Sequence, residues 1–199
     1  MSQPNLILLG AGGHARACID VIEQQGLYRL AGLIAPPSEV GTLHCGHRVI
    51  ASDNELAALS QRYPYAFIGI GQLRSPTIRI RMFHQLLDLG FQLPTLIAPD
   101  AYVSPHASIG SGSIIMHGAI INAGAKVGRN CIINSRALVE HDAQIDDHCH
   151  LSTGAILNGG VRLGEGSFVG SASVVKEGVT LPPGSLLGMG SMIKNAQQA

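Results

Sequence analysis

Tryptophan is missing altogether, and only 13% of the 199 residues carry a charge. Lys plus Arg and Asp plus Glu stand at 13 each, so there is no basic excess to hold a nucleic-acid backbone or an anionic membrane surface. No run of 18 apolar residues occurs, so no segment reads as a membrane-spanning helix. None of the four cysteines, Cys18, Cys45, Cys131 and Cys149, falls in a CxxC pair, and the opening MSQPNLILLGAGG has no basic stretch ahead of a cleavable apolar segment. Reduced thiols and a cytoplasmic location are the expectation. The length allows one large domain or two small ones, with ample material for a core.

What is present is a repeat. Val103, Ile109, Ile115, Ile121, Val127, Ile133, Val139, Ile145, Leu151, Leu157, Leu163, Val169, Val175, Leu181, Leu187 and Ile193 stand six apart without exception. Val, Ile and Leu make up 53 of the 199 residues, so chance does not produce sixteen in a row. Four residues after each aliphatic the position favours a small residue, as at Ala107, Ser113, Ala119, Ala125, Cys131, Ala137, Ala143, Cys149 and Ala155, then Val161, Ser167 and Ser173. The position directly after each aliphatic favours Gly, Asn and Asp (Gly110, Asn122, Gly128, Asn134, Asp146, Asn158), which suggests positive-φ turns there. Neither a 3.6-residue period nor strand alternation produces this pattern. Three six-residue sides closing an 18-residue coil do, with aliphatics inward and small residues at the corners. About five such coils are expected, stacked at roughly the 4.8 Å spacing of strands in a sheet.

Residues 1–98 read differently, as alternating strands and helices of a small α/β domain with a mostly parallel, Rossmann-like sheet. FQLPTLIAP is taken as its last strand. The first turn, Gly10-Ala11-Gly12-Gly13-His14-Ala15, follows a strand and opens a helix, so its backbone N–H groups and helix dipole suit a phosphate. Gly10, Gly12, Gly13 and His14 are the candidate contacts. A glycine turn needed only for close packing is the competing reading. The acidic ribose ligand of a dinucleotide site is missing, since Ala35 and Pro36 stand where it belongs.

The chemistry-bearing segment is INSRALVEHDAQIDDHCH, residues 133–150. His141 lies two residues past the inward Val139, where a side chain can leave the core, and an imidazole titrating near neutrality suits a general base. Asp142, or less readily Glu140, can fix its tautomer. A turn histidine without a role fits the same position. Since 141 plus 18 is 159, Gly159 belongs one coil above His141 and Asn158 above Glu140, which offers the bare Gly159 N–H as a donor beside the imidazole. Cys131 and Cys149 occupy the small-residue phase and read as packing groups rather than nucleophiles. His148 reads as solvent-exposed.

The combination of GAGGHA in an α/β domain with an unbroken hexapeptide solenoid carrying VEHDAQIDDHCHLSTGAILNGG resembles the nucleotide-sugar acetyltransferases of the left-handed β-helix superfamily. The most similar group N-acetylates a 4-amino-4,6-dideoxy sugar (bacillosamine or perosamine type), alongside sialic-acid O-acetyltransferase-like relatives. The resemblance implies left-handed coiling, residues 99–199 as the acyltransferase domain, acetyl-CoA as cosubstrate, no metal, and a homotrimer with active sites between subunits. It implies that His141 is the base and Asp142 its support, that the Gly159 amide and His150 contact acetyl-CoA, and that Asn134 lies near the sugar. A solvated turn is the alternative for His150, and a structural turn asparagine for Asn134. O-acetylation of sialic acid or a related sugar is the alternative activity.

Three other readings compete. A β-helix carbonic anhydrase needs zinc-binding histidines, but His106, His117, His141, His148 and His150 include no pair one coil apart. A trimer scaffold under a nucleotide-sensing domain leaves Glu140, His141 and Asp142 without purpose. A dinucleotide oxidoreductase lacks its acidic ribose ligand.

Overall fold

The computed structural model describes residues 3–195. The chain divides into two compact units. One runs to Gly71 and resumes over Thr77–Leu96; the other takes Gln72–Pro76 and everything from Ile97.

The first unit is built on β1 (Asn5–Leu9), α1 (Gly13–Gln25), β2 (Arg29–Ile34), β3 (Leu43–His44), β4 (His47–Ala51), α2 (Leu56–Ser60), β5 (Tyr65–Ile68) and α3 (Thr77–Asp88). Its sheet has the order β3-β4-β2-β1-β5, parallel except for β3, which pairs antiparallel with β4. The β3–β4 turn at Cys45 and Gly46 has φ of 48° and 81°, the two positive values that a tight hairpin of matching twist requires. Leu6, Ile7, Leu8 and Leu9 of β1 are all buried, as expected for a central parallel strand covered on both faces. In α1 the buried set Ala15, Cys18, Ile19 and Ile22 follows the i, i+3, i+4, i+7 stripe, and the helix stops at Gly26, left-handed at φ 65°. Arg79 of α3 is 1% exposed, and its Nη1 donates to the carbonyls of Ile68 (2.9 Å) and Ile70 (2.6 Å), tying down the exit of β5.

The second unit is a three-sided parallel β-helix. It opens on β6 (Leu96–Ile97), and from β7 (Tyr102–Val103) to β22 (Met192–Ile193) each two-residue strand begins six residues after the last. Three parallel sheets result, β7-β10-β13-β16-β19-β22, β8-β11-β14-β17-β20 and β6-β9-β12-β15-β18-β21. Every pairing is 18 residues in register, as in Leu138↔Ile156 and Val139↔Leu157. The second residue of each strand points inward, and with the small corner residues these side chains form one continuous core that contains Cys131, Cys149, Ala137, Ala143 and Ala155.

Three expectations need correction. FQLPTLIAP is not a strand of the α/β sheet: Gln92 makes only an isolated bridge to Tyr65, and Leu96–Ile97 starts the solenoid. Positive φ falls three residues after each inward aliphatic from Ile109 to Leu187, not one, at Gly112, Gly118, Gly124, Asn130, Arg136, Asp142, His148 and onward. Gly128, in the earlier phase, answers to a different constraint, since a Cβ there would press to 2.7 Å from the Asp147 amide of the next coil. Finally, His148 is buried at 3% exposure. Its Nδ1 faces the Asn130 amide at 3.0 Å, and its carbonyl accepts from Gln72 Nε2 at 3.1 Å.

Candidate active site

His141 and Asp142 leave the solenoid at the corner after β13 (Leu138–Val139). Asp142 holds a left-handed backbone at φ 59°, a conformation costing about 1 kcal/mol or more for a residue with a Cβ and one that an aspartate tolerates better than most. That geometry turns its carboxylate back onto the preceding ring, with Asp142 Oδ2 2.9 Å from His141 Nδ1. A carboxylate only accepts, so Nδ1 carries the proton and Nε2 is left with its lone pair. Both side chains are largely exposed, at 66% and 73%. The Asp142 hydrogen bond raises the His141 pKa above the usual imidazole value, with smaller help from the charges of Asp142 and Glu140 against the cost of desolvation.

Glycines one coil away make room for this pair. The position 18 residues after His141 is Gly159, where a Cβ would come 2.6 Å from His141 Nε2. The position 18 before Asp142 is Gly124, where a Cβ would collide with Asp142 Oδ1. Any larger residue at either site displaces the ring or the carboxylate. The ladder continues through the corner, Gly160 N–H donating to the His141 carbonyl at 2.9 Å, while among the described residues no acceptor takes the Gly159 N–H. The imidazole lone pair and a bare amide donor therefore sit side by side, in the arrangement that coil arithmetic implies.

Glu140 is held from the preceding coil. Asn122, one coil earlier, donates to Glu140 Oε2 at 2.9 Å, whereas the Asn158 side chain donates to the Val175 carbonyl at 2.8 Å. Asn122 was overlooked in the sequence although subtracting 18 from 140 points to it.

His150 lies in β15 (His150–Leu151), on another sheet, and is buried rather than set in a solvated turn. Its Nδ1 donates to the Gln72 carbonyl at 2.5 Å, its Nε2 lies 3.3 Å from the Asn134 amide, and its ring meets Phe168 edge-on at 5.2 Å. Asn134 and His150 thus form one cluster and His141 with Asp142 another, on different sheets of the same chain. Gln72 and Phe168 complete the first cluster, and no local spacing identifies Gln72, which is 78 residues away. Both stacked cysteines are buried, and the Cys149 thiol is pushed far up by its hydrogen bond with Cys131 and by burial. Among the described residues no group of three or more His, Cys, Asp or Glu side chains is placed to hold a metal ion.

In the α/β unit, Gly10 has φ 111°, and a Cβ there would press on Gly69 O at 3.1 Å, so packing demands this glycine. Gly12 and Gly13 differ, because a Cβ at either meets nothing within 4 Å. Close helix–strand packing does not explain those two. They leave bare backbone at the N-terminus of a 13-residue helix with no acidic residue in its first turn and no side-chain cap, a surface that suits an anion. His14 lies in the first turn of the helix, with Nε2 3.6 Å from the Cys18 sulfur. Burial, opposed by the Arg79 charge, raises the Cys18 thiol to about 12.

Fold and site together define a hexapeptide-repeat acyltransferase of the left-handed β-helix type. Residues 5–86 match the family model described as the PglD N-terminal domain. No curated protein sequence gives a significant match. The structure is similar to perosamine N-acetyltransferase from Caulobacter crescentus, solved as a histidine-to-asparagine variant with CoA and GDP-perosamine, at TM-score 0.91 and 30% identity over 98% of this chain and 90% of that one. It is similar to the acetyltransferase domain of PglB from Neisseria gonorrhoeae, at TM-score 0.89 and 31% identity over 97% and 92%. WeeI from Acinetobacter baumannii shares the fold, at TM-score 0.75 and 18% identity over 96% and 95%. The chain belongs to the nucleotide-sugar acetyltransferase family of the left-handed β-helix superfamily that these proteins represent.

Proposed function

We propose that the protein is a cytoplasmic, acetyl-CoA-dependent N-acetyltransferase acting on the 4-amino group of a nucleotide-linked 4-amino-4,6-dideoxy sugar, for surface-glycan assembly. Residues 1–98 bind the nucleotide sugar, with Gly10, Gly12, Gly13 and His14 receiving phosphate, and residues 99–199 carry the chemistry. The observation that carries this reading is the stack of His141 on Gly159 with Asp142 on the far ring nitrogen.

Acetyl-CoA supplies the acyl thioester. His141 Nε2 takes the proton released as the sugar amine bonds to the acyl carbon and later hands it to the departing thiolate, a role worth about 10²- to 10⁴-fold. Asp142 keeps the ring in the tautomer with Nε2 free and stabilises the imidazolium. The Gly159 N–H donates to the carbonyl oxygen as it gains negative charge. Glu140, held by Asn122, adds negative potential beside the imidazolium. Asn158 and His150 serve the acetyl-CoA side and Asn134 the sugar side.

The working unit is a homotrimer. The outward residues of one sheet are Tyr102, Ile120, Leu138, Ile156, Val174 and Met192, apolar in every coil, with Tyr102 55% and Met192 68% exposed. The next sheet presents Ser108, Lys126, Gln144, Arg162 and Thr180, a solvent face. A continuous apolar stripe on an exposed sheet calls for a partner surface, and His141 stands at the stripe's edge, so each site would be completed by a neighbouring subunit. Incubating acetyl-CoA with UDP-, GDP- and dTDP-linked 4-amino sugars and following CoA release tests the activity. Turnover of at least one is expected, and acetylation of none refutes the proposal.

A further inference from the structure

Where β1, β2 and β4 end, the α/β unit holds a slot of about 170 Å³ beside Gly10, walled by Leu9, Ile34, Ala35, Ile70 and Met82. Four of these, Leu9, Ile34, Ala35 and Met82, are at most 5% exposed, so the walls are fixed by the core behind them. Among the described residues, Asp53 is the only charged one lining the slot. It opens the short 3-10 turn after β4. That turn is held by a capping box in which Glu55 Oε1 accepts from the Ser52 N–H at 2.9 Å and from the Ser52 hydroxyl at 3.2 Å. Glu55 is thus committed to the turn. Asp53 is exposed, and its carboxylate has no hydrogen-bond or ion-pair partner among the described residues.

An apolar slot with one carboxylate at its rim, at the carboxyl ends of parallel strands and beside the glycine turn, matches the chemistry of a flat heterocycle with hydrogen-bond donors on one edge. Resting on the nucleotide-sugar reading above, we propose that this slot takes the base of the substrate and that Asp53 selects guanine. An ionised carboxylate only accepts hydrogen bonds. Guanine presents two adjacent donors, N1–H and the 2-amino group, which pair with both carboxylate oxygens at once. Uracil and thymine present a single N–H flanked by two carbonyl oxygens, so a carboxylate gains one bond and meets acceptor against acceptor. Adenine pairs its amino donor with a ring nitrogen acceptor and fares no better. Specificity therefore arises from repulsion of the wrong bases as much as from attraction of the right one.

Calorimetric titration of the full chain with GDP, IDP, UDP and dTDP, as wild type and as Asp53→Asn, tests this. Wild type is expected to bind GDP about 100-fold tighter than UDP or dTDP and about tenfold tighter than IDP, which lacks the 2-amino donor. Asp53→Asn should lose most of the GDP preference with UDP affinity little changed, and an unaltered melting temperature would show that the variant is folded. Equal binding of GDP and UDP by wild type overturns the proposal, as does a GDP preference that survives in Asp53→Asn. Binding that separates ribose from deoxyribose but not the bases also overturns it, and places Asp53 on the sugar. The acetyl-transfer assay keeps the two claims apart. Turnover of UDP- or dTDP-linked amino sugars as fast as GDP-linked ones sinks the guanine assignment alone. Asp53-dependent GDP binding without any acetyl transfer sinks the enzymatic reading alone.

Discussion

The two units of this chain convert sequence into space by different rules. In the solenoid, residues 18 apart are neighbours by construction, so His141 and Gly159, or Asp142 and Gly124, meet because of their numbering. In the α/β unit, neighbours are set by topology: Gly10 donates to the Ile34 carbonyl and Asp53 shares a slot with Leu9, and no fixed interval links them. A one-dimensional repeat makes a site readable from its spacing, whereas a wound sheet hides its site in the order of its strands.

The sharpest way to break that comparison is to alter chemistry in one unit and look for damage in the other. His141→Ala should cut acetyl transfer by about 10²- to 10⁴-fold while nucleotide affinity, read by calorimetry, stays at the wild-type value. Near-normal turnover would remove His141 from the mechanism, and lost nucleotide binding would mean that the units do not divide the work as stated. Gly159→Ala is the next largest. The new Cβ would lie 2.6 Å from His141 Nε2, so the ring must shift, and a displacement of about 1 Å costs on the order of 10²-fold in rate. The side chain is exposed and can move, so the melting temperature should hold. An unchanged rate would show that the stack is incidental.

The same contrast explains what the sequence disclosed. The period of six, the inward aliphatics, the small corners and the stacking of Gly159 on His141 were legible because each follows from one spacing. The location of positive φ was not, because Arg136, His148 and Ala172 occupy left-handed positions there and dilute the glycine signal, while glycines such as Gly128 answer to close approach between coils. His148 was misplaced because what covers it, Gln72, comes from 76 residues away. In the α/β unit the β3–β4 hairpin went unread, since Cys45-Gly46 lacks the Asn-Gly signature of such turns and the strand after it opens on His47 and Arg48. Without that hairpin the end of β4 has no place, and Asp53 is one polar residue among many.

Gly10→Ala reverses the first experiment by damaging the α/β unit alone. At φ 111° an alanine is strained whatever its surroundings, and here it also meets Gly69 O at 3.1 Å. A destabilisation of about 1–3 kcal/mol of that unit in urea unfolding is expected, with roughly tenfold weaker nucleotide binding. Turnover at saturating substrate should stay within about threefold, because the His141 corner keeps its geometry. A large fall in that limiting rate would tie the glycine turn to the chemical step.

Asp142→Asn probes the solenoid site most finely. The Asp142 carboxylate accepts the His141 Nδ1 proton and raises the pKa of the ring, which is otherwise exposed. Only the neutral ring can act as a base, so activity should fall as pH drops through that raised value, and the acid limb of the wild-type kcat/KM profile should lie above the ordinary imidazole value. An asparagine can still accept the Nδ1 proton through its amide oxygen, but it carries no charge. The limb should therefore move to lower pH, and the variant should keep a larger fraction of its own plateau in mild acid than the wild type does. The plateau itself should drop as well, because the imidazolium formed in the reaction loses its counter-charge. The two effects oppose each other at low pH and reinforce nothing at high pH, so a full profile separates them where a single-pH assay does not. A limb that stays in place while the plateau falls would mean that Asp142 orients the ring without setting its charge. A limb that moves with no change in plateau would mean the reverse.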